Sequence, residues 1–138
     1  LANNDDYIAD ELTDFTTSSS TFVDVDPTGT DFELTITTNG GDVLVGFCGT
    51  VSVPNRQVYW NIEVDSADYF GDDGGPATGP NSLIMPVSFV LLIEGLSATA
   101  HTFKLRWRVR GGGGSPILYA GAGTTDYDVH PQFWVQEI

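Results

Sequence analysis

The chain has 138 residues, nineteen of them Asp or Glu against five Lys or Arg, for a formal net charge of −14. That length suits one domain with its own core, and sixteen Gly, seven Pro and 12% aromatic residues favour strands and turns over helices. The acid excess argues against binding nucleic acid or anionic membranes through net charge. The single Cys excludes an internal disulfide, and no stretch reaches the ~18 apolar residues of a membrane span.

In chain order, residues 1–20 read as an acidic arm, with Asp5, Asp6, Asp10, Glu11 and Asp14 ahead of the polar tract Thr16–Thr21. Tyr7, Ile8, Leu12 and Phe15 are apolar beads on this string, suited to docking on a partner. Asp6 to Leu12 is helix-compatible but too short to hold alone. The opening Leu1, in place of Met, suits a processed, secreted product or an incomplete start.

From Thr21 the pattern turns to strands, and residues 21–138 read as one β domain. Thr21–Val25 is closed by the turn residues Asp26-Pro-Thr-Gly. Residues 31–38 alternate, with Phe32, Leu34 and Ile36 inward, up to the hairpin signal Asn39-Gly-Gly. Residues 42–53 put Val43, Val45, Phe47, Val51 and Val53 on one face. Gly46, Cys48, Thr50 and Ser52 lie on the other, small enough for something to pack closely there. Cys48 itself, in an apolar run, reads as an inert core residue. Residues 57–65 place Val58, Trp60, Ile62 and Val64 inward, with Tyr59, Asn61 and Glu63 outward.

A Gly- and Asp-rich loop spans 66–81. Residues 83–94 are apolar on both faces, which predicts a strand covered on both sides, by the core and by another layer or subunit. Residues 100–110 alternate without interruption: Phe103, Leu105, Trp107 and Val109 inward against Lys104, Arg106, Arg108 and Arg110 outward. Four of the five cations stand on this one strand; Arg56 is the fifth. The Gly111–Gly114 run then turns the chain, and short strands follow at 116–120 and 131–138. These eight strands, with their turn spacing, predict an all-β, antiparallel eight-stranded jelly-roll sandwich with an extended N-terminal arm.

Several segments carry a family pattern: Ser20-Thr-Phe-Val-Asp-Val, Leu34-Thr-Ile-Thr-Thr-Asn-Gly-Gly-Asp-Val-Leu-Val, Val87-Ser-Phe-Val-Leu, Gly95 to Val109, and Phe133-Trp-Val-Gln-Glu-Ile. Over residues 20–138 they resemble small jelly-roll domains of the tumour necrosis factor and complement globular-head type, found on bacteriophage virions and bacterial surfaces. The resemblance implies homo-oligomers, trimers among them, on a virion or cell surface, and no shared catalytic residues. The acidic arm and the 66–81 loop fall outside the pattern.

The basic ladder has two readings. Its cations either pair across strands within their own sheet, with Glu33, Glu63, Asp65 or Glu94, or receive the acidic arm of a neighbouring subunit. In the second reading Tyr7, Ile8, Leu12 and Phe15 with Lys104, Arg106, Arg108 and Arg110 form a subunit interface, and head-to-tail repetition gives an open helical filament. Asp65, Asp68, Asp72 and Asp73, among glycines, could supply oxygen ligands to calcium, although they do not match the helix–loop–helix calcium loop. A solvated polar loop is the plainer account.

His101 points inward and reads as structural, while His130 precedes Pro131 in a loop. Neither has zinc-ligand spacing. No nucleophile elbow or phosphate cradle is present, so an enzyme is not expected. Tyr59, Tyr69, Phe70, Tyr119, Tyr127 and Trp134 suit a glycan or a subunit contact equally. The expected protein is a non-enzymatic, self-assembling structural subunit, extracellular or on a virion surface. The alternative is a receptor- or glycan-binding head built as a closed trimer.

Overall fold

A computed structural model describes residues 14–28, 31–121 and 129–138 in full and residues 4–8 by their backbone. The described residues form an all-β sandwich of two antiparallel sheets, with no helix among them. Twelve strands appear: β1 (Asn4–Ile8), β2 (Phe15–Thr16), β3 (Val23–Asp24), β4 (Glu33–Thr37), β5 (Gly41–Val53), β6 (Val58–Val64), β7 (Ala67–Asp68), β8 (Ala77–Thr78), β9 (Asn81–Leu96), β10 (Ala100–Val109), β11 (Ile117–Tyr119) and β12 (Gln132–Glu137).

The first sheet is built on β5. One edge of β5 pairs with β9 along nearly its whole length. Its other edge pairs with β12 over residues 43–48 and with β11 over residues 50–52. β1 continues the sheet beyond β12, and β2 continues it beyond β11. The second sheet is built on β10, which pairs with β6 on one side and with β4 and then β3 on the other. The short strands β7 and β8 extend the far edge of β6.

All eight expected strands are present, and the four additional ones lie where no alternation is long enough to read. Two of them, β7 and β8, sit inside the stretch expected to be a loop. The other two bring parts of residues 1–20 into the first sheet of their own chain. Asn4–Ile8 forms no helical turn; it pairs in register with Gln132–Gln136 of its own chain. Phe15 packs edge-on against Phe32 of its own core, with ring centroids 5.4 Å apart. The Asp14 carboxylate also accepts the Ala120 N–H at 3.0 Å. The tract after it is held too, since the Ser19 carbonyl accepts from Val109 N at 2.7 Å and the Ser18 carbonyl from Gly113 N at 3.0 Å. Leu12 and the side chains of Tyr7 and Ile8 lie outside the described residues.

The inward sides of both sheets meet as the alternation demands. Val43, Val45, Phe47, Ile93, Phe133 and Val135 of the first sheet face Leu34, Trp60, Ile62, Phe103, Leu105 and Trp107 of the second, all buried. Aromatic contacts cross the sandwich from Phe32 to Phe47 to Trp60 to Trp107, with centroids 5.2–6.1 Å apart. Such pairs add about 0.5–1.5 kcal/mol each beyond the area they bury. The Trp60 indole N–H donates to Thr78 Oγ1 at 2.9 Å, whereas the equally buried Trp107 indole N–H has no hydrogen-bond partner among the described residues.

One outward assignment fails for a physical reason. Asn61 is fully buried. Its amide donates to the Gly71 carbonyl at 2.9 Å, and its Oδ1 accepts from Ile62 N and Phe70 N at 2.9 and 3.2 Å. The chain after β7 therefore folds back over the sheet and is pinned by this one amide. With every polar group satisfied, burial of Asn61 costs little.

Candidate interaction surface

The sandwich leaves two outer faces, and they differ in charge. On the second sheet, the cations of β10 meet carboxylates from strands on either side. Lys104 Nζ lies 3.6 Å from Glu33, 3.7 Å from Asp24 and 4.0 Å from Glu63. Arg106 makes a close ion pair with Glu63, approaches Asp24 and Asp68 at 3.5 Å each, and donates to the Phe22 carbonyl at 2.6 Å. Arg108 stacks instead, its guanidinium 4.3 Å above the Tyr59 ring and 5.2 Å from that of Phe22. Arg110, at the strand end, donates to Gln57 Oε1 at 3.2 Å. Register explains this pairing, because Glu33 and Glu63 both stand directly opposite Lys104, on β4 and β6. Lys104 and Arg106 are thus met within their own sheet, as opposite charges on adjacent strands allow.

The expected calcium ligands do not converge. Asp65 turns to His101 and Asp68 to Arg106, and among the described residues no three His, Cys, Asp or Glu are arranged to hold a metal ion. Burial lifts the Asp68 carboxyl above its usual value against the pull of Arg106, with Glu63, Asp24 and Asp72 adding to the rise.

His101 is buried, as its place beside Phe103 predicts. Both ring nitrogens face acceptors, Asp65 Oδ2 at 2.5 Å and the Ser97 carbonyl at 2.9 Å, an arrangement satisfied by the doubly protonated ring. The Asp65 hydrogen bond raises the His101 pKa against the effect of burial, and the Ser97 carbonyl and the Asp65 charge raise it further. Burial tends to raise the Asp65 pKa, but its bonds to His101 and the Thr102 N–H, with the His101 charge, hold it below the usual value. The pair ties the turn after β6 to the turn before β10, which is a structural task.

The outer face of the first sheet is of another kind. Its outward residues are Ser82, Ile84, Pro86, Ser88, Val90 and Leu92 on β9, Leu44, Gly46, Cys48, Thr50 and Ser52 on β5, and Gln132, Trp134 and Gln136 on β12. These residues are uncharged, in a chain of net charge −14, and charge enters only at one end of the face, where Asp42 and Glu94 stand beyond Leu44 and Leu92 on β5 and β9. Register sets Leu44 beside Leu92 and Gly46 beside Val90. The Trp134 indole lies flat over Gly46, where a Cβ would fall 2.0 Å from its Cε2. This is the close packing that the small residues of β5 predict.

Val90 remains 54% exposed and Leu92 43%, with Ile84 at 38% and Leu83 at 70%. The second apolar side of residues 83–94, expected to be covered, is thus left exposed among the described residues. Cys48, expected in the core, stands on this outer face, half-buried, with Sγ 3.8 Å from Gln132 Oε1. Of the other aromatics proposed for sugar or subunit contact, Tyr59 lies under Arg108, and Tyr69 and Phe70 stack edge to face on the β7 loop. Tyr119 lies on β11, and Tyr127 is outside the described residues.

No family model and no curated protein matches the chain. Among solved structures it is similar to the structure of the infectious bursal disease virus Gx strain, at 14% identity and a TM-score of 0.46, over 99% of this chain and 36% of that one. It is also similar to the infectious bursal disease virus VP2 subviral particle, at 13% identity and a TM-score of 0.39, over 99% of this chain and 37% of the other. The chain spans little more than a third of the length of either. Both scores fall below 0.5, and the fold rests on the strand pairing above rather than on this likeness.

Proposed function

We propose that this chain is a non-enzymatic structural subunit of an extracellular or virion-surface assembly, associating with copies of itself through the outer face of its first sheet. The carrying observation is that face, uncharged from Ser82 to Leu92 along β9, with Val90, Leu92 and Ile84 exposed at its edge. In a strongly acidic protein, like-charge repulsion opposes contact between copies nearly everywhere else. Large exposed apolar patches mark interaction sites, and an uncharged apolar patch finds its best match in the same patch of a second copy. Pro86 within β9 works against simple edge-to-edge strand pairing, which favours packing through the face.

The order of pairing, β1-β12-β5-β9 in one sheet and β4-β10-β6-β7 in the other, supports the jelly-roll reading, since the chain crosses between sheets at nearly every main connection. A patch that meets itself closes on a symmetry axis. The open filament expected from an exchanged arm loses its support once β1 is paired with β12 of the same chain. Light scattering during size-exclusion chromatography tests the reading: a mass that is a small multiple of the monomer supports it, and a monomer at high micromolar concentration contradicts it.

A further inference from the structure

Arg56 and Arg110 stand apart from the other cations. Among the described residues neither is ion-paired, whereas Lys104 and Arg106 sit among carboxylates and Arg108 lies on aromatic rings. They line one open concavity of about 510 Å³, together with Asn55, Gln57, Pro80 and Gly111. The two side chains hold one another's surroundings in place: Arg56 Nη1 donates to the Arg110 carbonyl at 3.3 Å, and Arg110 Nη1 to Gln57 Oε1 at 3.2 Å.

The glycine run after β10 opens with Gly111, which lines the concavity. Gly111 to Gly114 all have φ between +67° and +73°, four successive left-handed residues that only glycine adopts without strain. This turn folds along Arg56 so closely that a Cβ at Gly111 would fall 3.0 Å from Arg56 Nη1, and one at Gly114 3.9 Å from Arg56 Cβ.

We infer that this concavity is a binding site for a carboxylate-bearing saccharide. Two guanidinium groups lining one concavity suit a planar carboxylate, which a guanidinium can grip through paired N–H donors. The Asn55 and Gln57 amides offer donors and acceptors suited to ring hydroxyls, and the exposed Pro80 ring is a small apolar floor for a sugar face. The volume lies in the range of small-molecule sites. This site lies apart from the outer face of the first sheet and stands independently of the proposed self-association.

The test is calorimetric titration of the full chain with sialyllactose, with a short glucuronate-containing oligosaccharide, with lactose and with inorganic phosphate. The expected result is binding of at least one acidic sugar, about tenfold or more tighter than lactose, weakened by added salt and lost in Arg56→Gln and in Arg110→Gln. Thermal unfolding of both variants should match the parent, since neither side chain is buried. Failure of both acidic sugars, equal binding of lactose, binding of phosphate alone, or binding that survives Arg56→Gln each overturns the inference.

Discussion

Replacing Arg106 by Met keeps the aliphatic stem and removes the charge from the centre of the second sheet's outer face. Arg106 is 19% exposed, Glu63 13% and Asp68 21%, so the cluster is partly shielded from water. Its loss leaves Lys104 alone among Asp24, Glu33, Glu63 and Asp68, and strips the Phe22 carbonyl of a charged donor. Removing one partner of a buried pair costs about 3–5 kcal/mol. Solvent reaching these groups reduces that to about 2–3 kcal/mol, or about 7–10 °C in melting temperature for a chain of this length.

Acid should relieve the deficit. Asp68 is raised in the folded state, so its stabilising share is present at low pH and lost as pH rises through the folded value. Arg106 is the group that pulls it down, so the variant raises it further and regains more than the parent as pH falls. Urea unfolding of both proteins at neutral pH and near pH 4.5 measures this. A neutral-pH loss under about 1 kcal/mol, or a gap that does not narrow in acid, would refute the reasoning.

Other consequences follow from single contacts. Gly46→Ala must expel the Trp134 indole and should cost about 2–3 kcal/mol; combined with Trp134→Ala the two losses should be far from additive in urea unfolding. Asn61→Ala should leave the Gly71 carbonyl and the Phe70 N–H without their partner, costing about 1–3 kcal/mol and speeding protease cleavage between residues 69 and 75. The His101 pKa is raised above 6.5 when folded, so its stabilising share is complete below that pH and fades as pH rises through the folded value. The share of Asp65, lowered below 3.8, is complete above that pH and fades in acid. His101→Asn should therefore remove the parent's loss of stability as pH rises above 6.5. Cys48, half-exposed on the uncharged face, should react with a maleimide more slowly as protein concentration rises.

Strand period was the legible signal. The faces of β5, β6 and β10 are readable from Val43–Val53, Val58–Val64 and Phe103–Val109 because side chains alternate strictly across a sheet. Cross-strand neighbours are not readable in this way. Register alone puts Glu33 and Glu63 opposite Lys104, and nothing local marks Asn61 as the pin of a distant loop. The strand at residues 4–8 was not readable because it lacks a clean alternation and its partner, β12, lies more than a hundred residues away. For the interaction surface, the apolar outward residues of 83–94 were visible in sequence. That the uncharged outward residues of β9, β5 and β12 form one face, with Asp42 and Glu94 at its end, required the sheet order.

The central claim is most directly tested by sedimentation velocity on the parent and on Val90→Lys/Leu92→Lys, with Thr35→Lys on the outer side of β4 as control. The account predicts a concentration-dependent oligomer for the parent and for Thr35→Lys, and a folded monomer at every concentration for the double variant. A parent that sediments as a monomer throughout, or a double variant that associates as the parent does, would contradict it.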